Sequence, residues 1–203
     1  MKAGIIGSGI VGQVLAKAFA SEGYEVTLGT RNTLKDEVVK FNEETGIAVA
    51  TFEDTAKNAD LIVLATKGPA AAEALQLAGI GNLSGKIIID ATNPISDAPV
   101  NGALQFFTSV NESLMEQLQK LVPDAKFVKA FNSVGNALMY KPNLAGGPPT
   151  MFICGNDDDA KKTVTDILTS FGWETEDAGK AELAGSIEAL CILWCARGFN
   201  QNK

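Results

Sequence analysis

Near the N-terminus, residues 2–12 read Lys2-Ala3-Gly4-Ile5-Ile6-Gly7-Ser8-Gly9-Ile10-Val11-Gly12. A short apolar run, typical of a buried strand, leads directly into the pattern G-x-G-x-x-G, and helical spacing begins at once after it. In that context the glycines indicate a dinucleotide-binding turn: Gly7 permits the tight turn, Gly9 lets a pyrophosphate approach the backbone, and Gly12 lets the helix pack close to the strand. Free N–H groups at the start of the helix would hold the anion.

Strand and helix alternate along the rest of the chain. Apolar runs predict five further strands up to residue 149, at residues 24–29, 47–51, 61–65, 86–91 and 126–131, and two more strands follow at 150–154 and 173–177. The clearest helical patterns lie at residues 10–21, 114–121 and 158–170. The alternation predicts an α/β fold with a Rossmann-type, doubly wound, mostly parallel sheet. We expect one NADP-binding domain over residues 1–203, with its core at 1–149 and a small C-terminal α/β extension at 150–203.

The carboxyl ends of parallel strands form the ligand-binding edge of such a sheet. Five loops should therefore converge on one cleft. They are residues 7–9, 30–32, 65–67, 92–94 and 132–134. Small or short side chains at Gly68, Asn93 and Pro94 predict that this cleft is open.

The second strand ends in Thr30-Arg31-Asn32. Cofactors that lack a 2′-phosphate usually meet an Asp or Glu about 20 residues beyond the glycines, and no carboxylate stands here. Arg31 offers a planar donor fork to a 2′-phosphate, Thr30 offers a hydroxyl, and Lys35 adds a point charge one helical turn later. These residues favour NADP over NAD. A solvated polar turn is the alternative interpretation.

Composition limits the chemistry. The 203 residues include 17 Lys+Arg and 24 Asp+Glu, a net charge of −7, and 46% of them are hydrophobic. We therefore expect a globular protein that does not bind nucleic acid. The chain has no histidine, which excludes His-based triads and imidazole acid–base catalysis, and we expect no metal site. Three cysteines and the lack of a long apolar run predict a cytoplasmic protein without a membrane partner.

Several features have a structural and a functional interpretation. Cys191 and Cys195 form either a thiol pair or part of an apolar helix, and we expect core packing. Asp157-Asp158-Asp159 precedes a predicted helix, and we expect helix capping rather than a metal site. Thr33 and Asp36 predict a capping box at the second helix. An apolar stripe suits either the core or a homodimer interface; it comprises Leu183, Ile187, Leu190 and Trp194.

The sequence resembles the NADPH-dependent reductases of the deazaflavin coenzyme F420. The resemblance begins with the glycine loop and with residues 28–32, Leu-Gly-Thr-Arg-Asn, followed by Lys35. Further segments recur in the same order, at residues 59–66, 129–135, 154–157 and 177–179. The resemblance covers nearly the whole chain. One departure is Gly185, where many members of the family have an arginine, and the chain ends at Lys203, where we expect relatives to continue.

By that resemblance NADP(H) binds along the carboxyl edge of the sheet, and a deazaflavin or a flavin lies over its nicotinamide as second substrate. The protein then mainly orients two rings, so no catalytic side chain is expected. The expected cofactor-binding residues are Gly7, Ser8, Gly9, Ile10, Val11, Gly12, Thr30, Arg31, Asn32, Lys35, Ala65, Thr66, Lys67, Asn93, Asn132 and Val134. Val134 is expected behind the nicotinamide, with core packing as the alternative.

These features predict an NADPH-dependent oxidoreductase with a small-molecule redox acceptor of the deazaflavin or flavin type. Within enzymes, the alternative is another acceptor, such as a flavin that feeds a ferric centre, an imine or a carbonyl compound. A different class is a non-catalytic NADP-binding module that senses redox state. The open cleft expected at the nicotinamide favours catalysis.

Overall fold

The computed structural model describes residues 1–96, 98–109 and 111–201. The strands are β1 (Lys2–Ile6), β2 (Glu25–Thr30), β3 (Ala48–Thr51), β4 (Leu61–Leu64), β5 (Ile87–Asp90), β6 (Lys126–Lys129), β7 (Thr150–Gly155) and β8 (Glu174–Asp177). The α-helices are α1 (Ile10–Ser21), α2 (Asp36–Thr45), α3 (Phe52–Asn58), α4 (Ala71–Ala78), α5 (Ile80–Leu83), α6 (Leu114–Leu121), α7 (Asp158–Ser170) and α8 (Ala184–Gln201).

The strands form one sheet in the order β3-β2-β1-β4-β5-β6-β7-β8. Strands β1 to β6 are mutually parallel, β7 runs antiparallel to β6, and β8 is parallel to β7. The predicted Rossmann-type, mostly parallel α/β fold is confirmed. The strand order reverses between β1 and β4, and ligands of open α/β sheets bind at such a switch point.

Strand register aligns the ends of the central strands. Ile6 pairs with Leu64, Leu64 with Asp90, and Asp90 with Lys129. The residues that follow these positions therefore leave the sheet side by side. This shared boundary, at which strands β1 to β6 end, is called the carboxyl edge below.

Both faces of the sheet are covered. Alternate residues of the central strands join two apolar clusters: Ile5 and Val63 belong to one, and Ile6 and Ile62 to the other. Burial on both faces explains why these strands are continuously apolar. Among the helices of the described residues, none is long and apolar enough to cross a membrane.

Strand β6 ends two residues before the predicted limit of 131. Phe131 has a φ of +63°, in the left-handed region, so the chain turns there and cannot continue the strand. Its backbone N–H donates to Met151 Sδ at 3.3 Å instead of to a strand neighbour.

Helix ends follow the predictions in one case and differ in another. Asp157 caps α7 by accepting the Ala160 N–H at 2.8 Å, so the capping interpretation is confirmed. The capping box predicted at Thr33 is wrong. Helix α2 begins after Lys35 without a side-chain cap, because the carboxamide of Asn32 turns the chain by accepting the Leu34 N–H at 2.9 Å.

Candidate dinucleotide-binding site

The glycine loop joins β1 to α1. Gly7 has a φ of +128°, and a Cβ on it would lie 2.5 Å from the Ala65 carbonyl oxygen. A Cβ on Gly12 would lie 1.8 Å from the Gly7 carbonyl oxygen. At Gly9, by contrast, a Cβ would meet no atom within 4 Å. Two glycines are thus required by the fold itself, while the third opens onto free space that a phosphate can approach.

Helix α1 presents its N-terminus to this free space. Gly9 is its N-cap, and in this fully described helix no side chain caps the N-terminus and no acidic residue lies in the first turn. The orphan N–H groups and the positive end of the helix dipole favour an anion there. Ile10, with 63% of its surface exposed, and the half-buried Val11 flank the same turn.

Predicted 2′-phosphate ligands lie next to the glycine loop. Ser8 Oγ donates to Thr30 Oγ1 at 3.1 Å, and the Asn32 N–H donates to the same oxygen at 3.3 Å. This contact joins the ends of β1 and β2. It brings together a hydroxyl pair that can turn toward a phosphate oxygen.

The two cations of this loop already have acidic neighbours. Arg31 Nη1 lies 3.8 Å from Glu73 Oε2, and Lys35 Nζ lies 2.6 Å from Glu37 Oε1. All four side chains are more than half exposed. Exposed ion pairs of this kind contribute little, so a phosphate dianion can compete for both cations. Sequence reasoning found the cations but not Glu73, which comes from α4.

At the other end of the site, two asparagines hold each other. Asn132 Nδ2 donates to Asn93 Oδ1 at 3.0 Å, and Asn93 Nδ2 donates to the Asn132 carbonyl oxygen at 2.6 Å. Asn132 Nδ2 also donates to the Ile187 carbonyl oxygen at 3.0 Å. Both predicted asparagines therefore meet at the carboxyl edge, and the amide of Asn132 is held in one orientation.

Two buried oxygens at this edge lack a hydrogen-bond partner among the described residues. They are Asn132 Oδ1 and Thr66 Oγ1. A buried polar atom without a partner costs free energy and calls for an explanation. A ligand that offers hydrogen-bond donors to Asn132 would satisfy this acceptor, and Thr66 can both donate and accept.

The remaining predicted residues surround these oxygens. Ala65 is buried and Lys67 is exposed at the end of β4. A Cβ on the next residue, Gly68, would lie 2.1 Å from the Asn93 carbonyl oxygen, so the two loops are in direct contact. Val134 is half-buried and packs against the apolar core, and its predicted contact with a nicotinamide stays a prediction.

Phe131 is strained directly before Asn132. It is fully buried and holds a left-handed φ of +63°. A non-glycine residue in this region costs on the order of 1–3 kcal/mol, and such strain clusters at ligand-binding sites. Here the turn directs the chain from β6 into the loop that carries Asn132 and Val134.

Beneath the asparagines lies a buried charge cluster that sequence reasoning missed. Lys129 Nζ lies 2.8 Å from Asp90 Oδ2 and 2.8 Å from Glu188 Oε1, and the three side chains are at most 1% exposed. Burial alone would lower the pKa of Lys129, but the charges of Asp90 and Glu188 outweigh it and raise that pKa. The sequence signal was present: each residue is a charge within an apolar run.

Other candidate features lie away from this site or lack ligands. A surface cavity of about 460 Å³ is lined by residues 119–120, 123–126 and 156–157, at the opposite edge of the sheet. Its Lys126 is paired with Asp157 at 3.0 Å. Within the described ranges, no cluster of three or more His, Cys, Asp and Glu side chains could hold a metal ion.

The C-terminal helix also reaches the site. A Cβ on Gly135 would lie 2.7 Å from Cη2 of Trp194, so the indole of α8 packs on the loop after Asn132. Within the predicted apolar stripe, Ile187 is buried, whereas Leu183 is 39% and Trp194 50% exposed. Core packing thus accounts for part of the stripe. Cys191 is buried, Cys195 is half-buried, and their sulfurs are 4.0 Å apart.

The chain is similar to a protein family and to curated proteins. Residues 2–94 match the model of the family "NADP oxidoreductase coenzyme F420-dependent". The chain is 28% identical over 190 residues to metalloreductase STEAP3 of Rattus norvegicus, which covers 93% of this chain and 36% of that protein. It is 27% identical over 142 residues to the F420-dependent NADP reductase of Methanocaldococcus jannaschii, which covers 70% of this chain and 63% of the relative. The chain thus spans only part of the length of both relatives.

A solved structure extends the similarity over the whole chain. It is that of a protein from Arthrobacter sp. FB24, proposed to be an F420-dependent NADP reductase. The two share 33% sequence identity with a TM-score of 0.91, over 100% of this chain and 95% of the other.

Proposed function

Because the chain belongs to the family of coenzyme F420-dependent NADP oxidoreductases, we propose that it is an NADPH-dependent oxidoreductase that transfers a hydride between NADP(H) and a deazaflavin or flavin-type acceptor. The observation that carries this proposal is the unpaired, buried Asn132 Oδ1 at the carboxyl edge. It faces no donor within the described part of the chain, and it lies at the opposite end of the site from the phosphate-binding features.

The phosphate end supplies most of the affinity. The open space at Gly9 and the uncapped N-terminus of α1 suit a pyrophosphate. Thr30 and Arg31, with Lys35 beyond them, suit a 2′-phosphate, which adds two charges that NADH lacks. These residues would bind the cofactor without taking part in the reaction.

The asparagine end supplies orientation. A primary carboxamide, the group that a nicotinamide carries, offers donors to Asn132 Oδ1 and both a donor and an acceptor to Thr66 Oγ1. Bound NADPH supplies the hydride, and the ring of the acceptor receives it. Because Asn132 is already held by Asn93 and Ile187, it needs no reorganisation when a ligand arrives. Such preorganisation favours the close approach that hydride transfer requires.

The charged groups nearest to the asparagines support a reaction without protein acid–base catalysis. The donors of Lys129 are directed at Asp90, Glu188 and the Thr92 carbonyl oxygen, all within 3.0 Å. Hydride transfer between two ring systems needs no imidazole, and the chain has no histidine. The proposed chemistry and the composition therefore agree.

A second acceptor is favoured by one observation. The similarity to metalloreductase STEAP3 extends over 93% of this chain. We therefore propose, as the second candidate, reduction of a flavin that passes its electrons to a metal ion. Both candidates use the same NADPH site and differ only in what lies over it.

Location and assembly complete the proposal. Three free cysteines among the described residues support a reducing, cytoplasmic location. On α8, Leu193 is 72% and Trp194 50% exposed, which supports a homodimer through this helix. Sedimentation of the purified protein, compared with a Leu193→Lys variant, would separate a dimer from a monomer.

The decisive experiment is anaerobic oxidation of NADPH by the purified protein. Parallel reactions contain coenzyme F420, riboflavin phosphate, riboflavin phosphate with a ferric chelate, or no acceptor. Turnover with coenzyme F420 or with riboflavin phosphate alone would support the first candidate, and reduction of the ferric chelate that requires the flavin would support the second. Tight NADPH binding without turnover of any acceptor would overturn the enzyme proposal and favour an NADP-binding redox sensor.

A further inference from the structure

We propose that Glu188 is a positioning residue for this site: its buried ion pair with Lys129 locks α8 against the asparagine pair and keeps Asn132 Oδ1 facing the ligand. What Oδ1 binds rests on the proposed function. The positioning itself does not, since it concerns contacts within the chain.

All three N–H donors of the Lys129 ammonium are engaged within the buried cluster. Lys129 Nζ donates to Asp90 Oδ2 at 2.8 Å and to the Thr92 carbonyl oxygen at 3.0 Å, and it lies 2.8 Å from Glu188 Oε1. Asp90 Oδ1 in turn accepts the N–H of Thr92 at 2.9 Å and its Oγ1–H at 2.6 Å. Thr92 is therefore held by its N–H, its carbonyl and its hydroxyl.

Glu188 joins the cluster to two helices. It lies on α8, and its carboxylate also accepts the N–H groups of Leu114 and Met115, each at 3.1 Å, in the first turn of α6. The positive end of the α6 dipole adds to this attraction. One carboxylate thus ties the end of β6 to α8 and to the start of α6.

Two residues of the cluster are adjacent in sequence to residues that hold the Asn132 amide. Thr92 precedes Asn93, and Ile187 precedes Glu188. The Ile187 carbonyl oxygen accepts one Nδ2 proton of Asn132, and Asn93 Oδ1 accepts from the same nitrogen. With Nδ2 engaged by two acceptors, the amide is held in one orientation, and its buried Oδ1 is left without a hydrogen-bond partner among the described residues. The orientation of Oδ1 therefore depends on where the cluster holds Thr92 and Ile187.

Stability alone does not account for the cluster. Apolar side chains of similar volume often replace a buried ion pair without loss of stability, because desolvation offsets the attraction between the charges. The charged groups do, however, fix the orientation of their neighbours, since each hydrogen bond holds one donor against one acceptor. This cluster adjoins the asparagine pair at the proposed nicotinamide site, where fixed directions of hydrogen bonds matter for function.

The first test concerns the contacts and needs no assumption about activity. In 15N-labelled protein, the side-chain amide signals of Asn132 are assigned by their loss in Asn132→Ala. We expect Glu188→Gln to accelerate proton exchange at this amide by about tenfold or more, because the Ile187 carbonyl no longer stays in place.

The matched control is Glu116→Gln. The Glu116 carboxylate also stabilises the start of α6, by accepting the N–H and Oγ–H of Ser113 at 2.8 and 2.7 Å. It has no bond to Lys129 among the described contacts. We expect Glu116→Gln to lower the Tm without changing exchange at Asn132. Equal acceleration in both variants would overturn the proposal, because it would mean that any loosening of α6 has this effect.

The second test concerns hydride transfer. At saturating NADPH, Glu188→Gln should lower kcat about tenfold or more, while the Kd for NADPH stays nearly unchanged because the phosphates bind elsewhere. In an Asn132→Ala background, Glu188→Gln should lower kcat by less than about twofold, since the two residues act through one contact. A full tenfold loss in that background would contradict the proposal.

Two outcomes separate this inference from the proposed function. If the wild-type protein neither binds nor oxidises NADPH, the proposed function fails, and the exchange measurement still decides whether Glu188 holds Asn132. If Glu188→Gln does not fold, Glu188→Asp replaces it, since it keeps the charge and shortens the side chain away from its 2.8 Å contact with Lys129. A folded Glu188→Asp protein with unchanged exchange at Asn132 would overturn the inference.

Discussion

At the scale of single residues, the rim of the phosphate site is set by one cation and its acidic neighbour. Arg31 lies 3.8 Å from Glu73, and both are exposed. We expect Glu73→Gln to tighten NADPH binding about two- to fivefold, since an exposed pair contributes about 0.2–1 kcal/mol and no longer competes. NADH binding should not change. Fluorescence titration at low salt checks this, with Glu44→Gln, which unpairs Lys40, as the control. Weaker NADPH binding would contradict the idea that Glu73 competes with the 2′-phosphate for Arg31.

Reversal of the charge at Arg31 gives the complementary prediction. Arg31→Glu places a carboxylate where we propose the 2′-phosphate, so NADPH affinity should fall by on the order of a hundredfold and NADH affinity should persist. The ratio of the two dissociation constants is the measurement. If both cofactors lose affinity equally, Arg31 does not recognise the 2′-phosphate.

Gly9 and Gly12 should fail in different ways. A side chain at Gly9 enters free space, so Gly9→Val should fold with an unchanged Tm yet bind neither NADPH nor NADH. A Cβ at Gly12 would lie 1.8 Å from the Gly7 carbonyl oxygen, so Gly12→Ala should lower the Tm of the free protein, unlike Gly9→Val. Thermal unfolding and cofactor titration of both variants separate the two effects. Unchanged affinity in Gly9→Val would refute pyrophosphate binding at this loop.

At the scale of elements, the cap of α7 predicts a pH dependence. The Ala160 N–H, and next the side chain of Lys126, hold the pKa of Asp157 below its usual range. A lowered carboxyl pKa stabilises the fold above the unfolded-state pKa, and this contribution disappears as pH falls through the folded-state value. The Tm difference between wild type and Asp157→Ala should therefore shrink in acid. Asp157→Asn also removes the titrating group, so its gap from wild type should shrink in acid by the same amount, but from a smaller starting value because the amide oxygen can still accept the Ala160 N–H. A constant gap for Asp157→Ala would contradict the cap.

Local signals predicted elements well where the cause is local. Helices at 10–21, 114–121 and 158–170 have the observed bounds, because their spacing and flanking residues are near in sequence. Strand β6 was predicted two residues too long because Phe131 is apolar, and only its strained φ shows that the strand has ended. Apolar character alone does not reveal a backbone turn.

Contacts between distant elements were harder to foresee. A mostly parallel sheet with one carboxyl edge followed from the alternation, so the loops that carry Thr30, Thr66 and Asn132 were predicted at that edge. The mutual bonds of Asn93 and Asn132 depend on register and rotamers, which spacing does not encode. The bridge from Lys129 to Glu188 joins β6 to a helix far along the chain. A charge within an apolar run indicates a buried charge at each position, but nothing local indicates which residue is its partner.

At the scale of the whole molecule, cofactor binding should raise the thermal stability of the protein. A ligand that binds only the folded state adds about 2.7 kcal/mol at about 100 times its Kd. For a domain of this size, that predicts a rise in Tm of about 5–10 °C with NADPH. At equal concentration NADH should give a smaller rise, because it lacks the 2′-phosphate.

Two variants test which end of the site contributes most of the rise in Tm that NADPH causes. Asn132→Ala should lower the Tm of the free protein, through lost bonds to Asn93 and Ile187, yet keep most of the rise with NADPH. Gly9→Val should keep the Tm of the free protein and lose the rise. The opposite pattern, with the rise lost in Asn132→Ala and kept in Gly9→Val, would place the main binding energy at the asparagines and would contradict the phosphate-anchored mode of binding.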